Sequence, residues 1–208
     1  MFVCYTKTMK QVCSTVVVLT AGLAMSAVAL DVDSAWRLEA PRRPVVEQFI
    51  PEMKYEDAAN LASGAKATAG SERPGDVAAN VLDGYARTLK GGSSREWISD
   101  PVQGLPQAIR VDLVRVEEVG EVRIVFDSNF YVQPKWIKHV MPTTLAKSYL
   151  LEGSTDGKMW ETLADVSENC RRMAVHRFAR RRISTLRLTV RGTYGDASAR
   201  VFEIRCYR

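Results

Sequence analysis

A chain of 208 residues is long enough for one ordinary domain with appendages, or for two very small ones. Its composition, 46% hydrophobic and 25% charged with no low-complexity tract, excludes a disordered or fibrous protein. A formal net charge of +5 is only mildly basic and makes no case for nucleic acid.

The N-terminus has the layout of a secretory signal. Lys7 and Lys10 precede a mostly apolar stretch from Val12 to Val28, and Ala27-Val28-Ala29 offers a small-x-small cleavage site. Ser14, Thr15, Thr20 and Ser26 interrupt the run, which falls short of the ~20 apolar residues of a robust membrane span. Removal is therefore expected rather than retention as an anchor. Residues 1–29 form the signal peptide, the mature chain starts near Leu30 with a net charge of about +3, and the protein is secreted or periplasmic. No transmembrane segment remains after removal. Cys4 and Cys13 leave with the signal, while Cys170 and Cys206 remain as an even pair in an exported chain. A disulfide between them is permitted; two free thiols are the alternative.

Residues 30–57 carry Pro41, Pro44 and Pro51 and little periodicity, and read as an extended lead-in. The texture changes at Asn60, and residues 58–208 read as one domain. Ala62 to Ala69 suits a first edge strand. Ala78 to Gly84 looks like a short helical turn stopped by Asp83-Gly84, and a polar loop from Tyr85 to Arg95 leads into Trp97-Ile98. Ile109, Val111 and Leu113 alternate with Arg110 and Asp112, and Val122, Ile124 and Phe126 alternate with Arg123 and Val125. This is the two-residue period of strands with one face inward.

After an aromatic and polar loop from Asp127 to Thr144 comes a hairpin. Tyr149, Leu151 and Gly153 alternate with polar or outward residues, Ser154-Thr-Asp-Gly157 supplies the turn, and Trp160 opens the return strand as an apolar anchor. Further strands follow at Met173 to Phe178, at Leu186, Leu188 and Val190, and at Phe202, Ile204 and Cys206, these last three on one face. Many short strands with turn chemistry between them and almost no helical period predict an all-β sandwich or barrel.

Several segments taken together resemble a known family. They are Asn60-Leu-Ala-Ser63, Asn80-Val-Leu-Asp-Gly84, Trp97-Ile-Ser99, Ala108 to Leu113, Val119 to Ile124, the Glu152 to Trp160 hairpin, and Leu186 to Val190 before Val201-Phe-Glu-Ile204. In this order the chain resembles the discoidin, or coagulation factor V/VIII C-type, domain with its galactose-binding-like jelly-roll β-sandwich. Val175-His-Arg-Phe178 and the ending Asp196 to Arg205 are similar to the C-terminal module of certain bacterial FAD-dependent oxidoreductases. No Gly-x-Gly-x-x-Gly follows any strand, so no flavin site is expected.

The resemblance implies a structural calcium held near the Asp-Gly turn and by the last strand, at Asp83, Thr88 and Glu203. The plainer reading has Asp83 capping its turn and Glu203 facing solvent. It also implies ligand contacts in loops at one end of the sandwich. Asn129, Tyr131, Trp136 and His139 are the candidates there, unless that loop folds as a lid on the core. Trp97 and Trp160 read as core.

The arginines from Arg171 to Arg191 offer a surface for an anionic partner, or a solvated face. Cys170 near His176 is a weak signal for a thiol nucleophile, and no catalytic motif accompanies it. The expected function is a non-catalytic carbohydrate-binding module acting on a carbohydrate or cell-surface glycan. The alternative is an accessory domain docking to a partner protein such as a flavoenzyme.

Overall fold

A computed structural model describes residues 54, 56–89, 94–128 and 141–208. The expected signal peptide, nearly all of the lead-in, and Asn129, Tyr131, Trp136 and His139 lie outside the described residues. Seven strands carry the fold: β1 (Lys66–Ala69), β2 (Trp97–Ile98), β3 (Gln107–Phe126), β4 (Ala146–Ser154), β5 (Glu161–Val166), β6 (Met173–Thr193) and β7 (Arg200–Tyr207). The expected helical turn is a 3-10 helix, Ala78–Leu82.

All pairings are antiparallel and run in the order β2-β7-β3-β6-β4-β5, with β1 also on β3. Two strands anticipated as separate are one continuous β3, and the same holds for β6. The pattern breaks because β3 and β6 bend between layers, with register shifts between Asp112 and Glu117 and between Val119 and Glu121. Val114, Arg115, Val116 and Glu118 are exposed at this bend, so alternation stops there. One layer is β1, the first part of β3, the last part of β6, β4 and β5. The other is β2, β7, the last part of β3 and the first part of β6.

The core lies between the layers. Ile109, Val111, Leu151, Leu186, Leu188 and Val190 from one face meet Trp97, Val122, Ile124, Val201, Ile204 and Cys206 from the other. Tyr149 reaches across: its ring lies 4.9 Å from that of Phe126, and its hydroxyl is 3.0 Å from Nε2 of His176. The domain also closes on its own start. The Leu61 amide donates to the Cys206 carbonyl at 2.8 Å, and the Cys206 amide to the Asn60 side chain at 3.0 Å.

Two local expectations need correction, and of the two cysteine alternatives the free thiols are found. Phe202, Ile204 and Cys206 do not share one face. A bulge against Val125 and Phe126 shifts the register, so Val201 joins Ile204 and Cys206 in the core. Phe202 is buried elsewhere, with the Arg172 guanidinium 5.5 Å from its ring. Trp160 is not a core anchor. It is half-buried before β5, and the guanidiniums of Arg187 and Arg110 lie 4.1 and 5.9 Å from its ring. Arg110 and Arg187 are register partners on β3 and β6, so they present a cationic shelf that an aromatic face satisfies better than the apolar core would. Cys170 and Cys206 are not bridged. Cys206 is buried in the core, where burial pushes its thiol up to about 12, and Cys170 is exposed in the turn before β6.

Candidate functional site

The ends of four elements meet at one edge of the first layer. β1 finishes at Ala69 opposite Ile109, β3 starts at Gln107 opposite Val190, and β4 starts at Ala146 opposite Thr193. The described residues of the connections they carry, 70–77, 99–106, 127–128, 141–145 and 194–199, therefore emerge together. Hydrogen bonds stitch them. Ser71, buried, bonds Gln107 through its hydroxyl at 2.8 Å, and its carbonyl accepts from Nε1 of Trp97 at 3.0 Å. The amides of Arg73 and Ile98 bond the Ile98 and Asp76 carbonyls at 2.8 and 3.1 Å. Ser99 and Ala199 exchange two bonds, at 3.0 and 2.8 Å. The amides of Tyr194 and Asp196 donate to Leu145 and Thr143 at 3.2 and 3.1 Å.

Beneath these loops lies a charged group that sequence reasoning passed over. Glu96 is only 5% exposed. Its Oε1 accepts from the Ser94 hydroxyl at 3.1 Å, while its Oε2 is buried without a hydrogen-bond partner. Burial, and secondarily the nearby Asp127 carboxylate, push the carboxyl up to about 7, against an attraction from Arg200. Arg200 itself lies 2.7 Å from Asp196 and 4.0 Å from Asp127. In the sequence, Glu96 next to Trp97 reads as a strand-flanking surface acid; only β2's position beneath the loops buries it. Asn129, Tyr131, Trp136 and His139 lie outside the described residues, in the sequence between Ser128 and Met141.

The calcium expected at Asp83, Thr88 and Glu203 meets a different chemistry. Asp83 and Glu203 do line one cavity of about 540 Å³, together with Asn60 and the end of the lead-in at Glu56 and Asp57. Glu203 faces this cavity rather than solvent and is buried. Asp83 caps its turn, accepting from the Tyr85 amide at 2.8 Å, and its other oxygen lies 2.8 Å from Arg95. Burial raises the Asp83 carboxyl, partly offset by that amide and by Arg95. Glu203 is paired with Arg205. Thr88 is half-buried and does not line the cavity.

A divalent cation needs several oxygens converging on one point. Among the described residues no three Asp, Glu, His or Cys side chains do so. With Arg95 on Asp83 and Arg205 on Glu203, a cation here would have to displace two guanidiniums. Millimolar calcium or excess EDTA is accordingly expected to leave the melting temperature unchanged. A calcium-dependent rise of more than about 5 °C, the size of a linkage stabilisation at saturating ligand, would overturn this.

Catalytic chemistry finds no partnered groups among the described residues. His176 is turned inward onto Tyr149, and burial holds its imidazole below the usual value. Cys170 is a free, exposed thiol in the turn before β6.

No protein-family model matches the chain, and no curated protein does. Solved structures do match in fold. The family 32 carbohydrate-binding module of Clostridium perfringens NanJ, in complex with galactose, is 18% identical with a TM-score of 0.57, covering 72% of this chain and 98% of its own. Chitosan-binding module 1 of a chitosanase/glucanase from Paenibacillus sp. IK-5 is 21% identical with a TM-score of 0.55, over 72% and 98%. The lectin domain of lectinolysin, complexed with Lewis B antigen, is 16% identical with a TM-score of 0.56, over 74% and 99%. The chain has the galactose-binding-like β-sandwich fold.

Proposed function

We propose that this chain is an exported, non-catalytic carbohydrate-binding module that holds a glycan with the loops at one end of its sandwich. The observation that carries the reading is the convergence there of four connections on a buried, hydrogen-bonded base, in a fold shared with modules solved in complex with galactose and Lewis B antigen. Such an end is where variable loops on a rigid scaffold build a binding site. Tyr131 and Trp136 supply aromatic faces for the C–H face of a sugar ring, and Asn129 and His139 supply hydrogen bonds to its hydroxyls. Export is supported by the signal-like N-terminus. Among the described residues no helix is long and apolar enough to cross a membrane. No described feature favours docking to a flavoenzyme.

A glycan array followed by calorimetry on the best hit tests the reading. Trp136→Ala is expected to weaken that hit about tenfold or more, as loss of a central aromatic does elsewhere, with an unchanged melting temperature. No glycan bound by the wild-type chain, or full affinity in Trp136→Ala, would sink it.

A further inference from the structure

A second cavity, of about 520 Å³, opens at the β4–β5 hairpin. This is the far end of β4 from the loop platform, roughly 26 Å away at the rise of an extended strand. Its volume lies within the range of small-molecule sites. Gly153, Leu163 and Ile183 form an apolar floor. A methyl group at position 153 would stand 2.7 Å from Ile183 and 3.1 Å from Leu163, so the glycine is what lets these side chains close the floor. Met159, 79% exposed, and Trp160 form the wall. Trp160 is fixed by the Arg187 guanidinium over its ring, and Arg187 is itself held by Glu152 at 2.7 and 2.9 Å. The turn is rigid as well: the Asp156 carboxylate accepts from the amides of Lys158 and Met159 at 2.8 and 2.9 Å, and Gly157 takes a φ of 72°.

The cation at this cavity is Arg182. Along β6, Arg177, Arg181, Arg187 and Arg191 each reach an acid: Glu121 at 2.6 Å, Glu161 at 2.8 Å, Glu152 at 2.7 Å and Asp165 at 2.9 Å. Those four belong to a solvated, paired face. Arg182 lines the cavity with no acid within ion-pair distance among the described residues. The other acids at the cavity are committed, Glu161 to Arg181 and Asp156 to its backbone donors. The floor and wall offer C–H and aromatic surface, and Arg182, whose carbonyl accepts from the Thr155 hydroxyl at 2.6 Å, is the lining residue that can offer a guanidinium to a pyranose ring bearing a single carboxylate.

We infer that the hairpin cavity is a second saccharide site, specific for a carboxylate-bearing sugar residue such as a uronate. Arg182 pairs with the carboxylate, and Met159 and Trp160 lie against the ring. The inference rests on the reading of the chain as a glycan binder, but on different residues. With neutral sugar at the loop end and acidic sugar at the hairpin, one module engages a mixed polysaccharide at two points.

The test is calorimetric titration of the full chain with methyl galacturonoside and, separately, with methyl galactoside. Both are also titrated into Arg182→Gln, into Trp136→Ala, and into Arg171→Gln, which removes the same charge from an exposed position away from the cavity. Arg182→Gln is expected to weaken the uronoside at least tenfold and leave the neutral sugar alone. Arg171→Gln changes uronoside affinity less than twofold, and Trp136→Ala does not change it. A uronoside bound no more tightly than its neutral counterpart, or bound with full affinity by Arg182→Gln, overturns the inference. Loss of uronoside binding in Trp136→Ala alone would place that ligand at the loop end and overturn it equally. If neutral glycans fail to bind while the uronoside shows the Arg182 dependence, the loop site falls and the hairpin site stands.

Discussion

Trp97→Ala is expected to destabilise the protein by about 3–5 kcal/mol, the usual cost of removing a large buried aromatic side chain. Trp97 is fully buried in the two-residue strand β2, where it pairs with Val201 of β7 while Ile98 pairs with Arg200. Its indole fills the core where the layers meet, and its Nε1 donates to Ser71 of the first loop at 3.0 Å. Truncation therefore leaves a cavity and also an unsatisfied carbonyl beneath the candidate ligand end. Chemical denaturation should show the midpoint falling with little change in slope. Trp97→Phe, which keeps most of the volume and loses the donor, should cost a smaller share of this and yet loosen residues 70–77. A loss below about 1 kcal/mol in Trp97→Ala would mean that β2 is not part of the cooperative core.

Glu96→Gln is expected to act in the opposite direction, and only above about pH 4.5. The Glu96 carboxyl has a pKa near 7 in the folded chain against 4.5 for the free side chain, so folding takes up a proton between those values. Below about pH 4.5 the group is neutral in both states and costs nothing. As pH rises toward 7 its ionised form becomes steadily more unfavourable in the fold, and above 7 the full penalty, on the order of 1–3 kcal/mol, is present. Glutamine has the same shape without the charge. It should therefore raise the melting temperature at pH 8 by several degrees, with the two proteins converging near pH 4.5. A gain that is the same at both pH values would indicate a packing effect. A loss at pH 8 would show that the Glu96 charge is compensated after all, by Arg200.

The strands were legible where one face is apolar. Ile109 to Leu113, Val122 to Phe126 and Leu186 to Val190 alternate because they line the interior, and the turn at Ser154 to Gly157 is dictated by residues that bond their own backbone. What could not be read depends on register. Alternation predicts Phe202 alongside Ile204, but a single bulge opposite Val125 turns Val201 inward instead. The arginines of β6 look like a free basic face until pairing sets Arg187 beside Glu152 and Arg177 beside Glu121. Arg177 and Glu121 stand 56 positions apart in the chain, and Arg187 and Glu152 stand 35 apart. Such cross-strand partners lie tens of residues apart, and local pattern carries no record of them.

The shared strands β3 and β6 bear on how the molecule comes apart. In a sandwich joined only by loops, one sheet can peel from the other and re-dock. Here two polypeptide ribbons of 20 and 21 residues run unbroken through both layers, paired with each other along most of their length. Neither layer can lose its ladder without fraying the other, which makes the sandwich a single foldon. A pull applied at the loop end is thus spread over both layers by the covalent chain itself. That is a mechanical continuity that core packing alone would not provide.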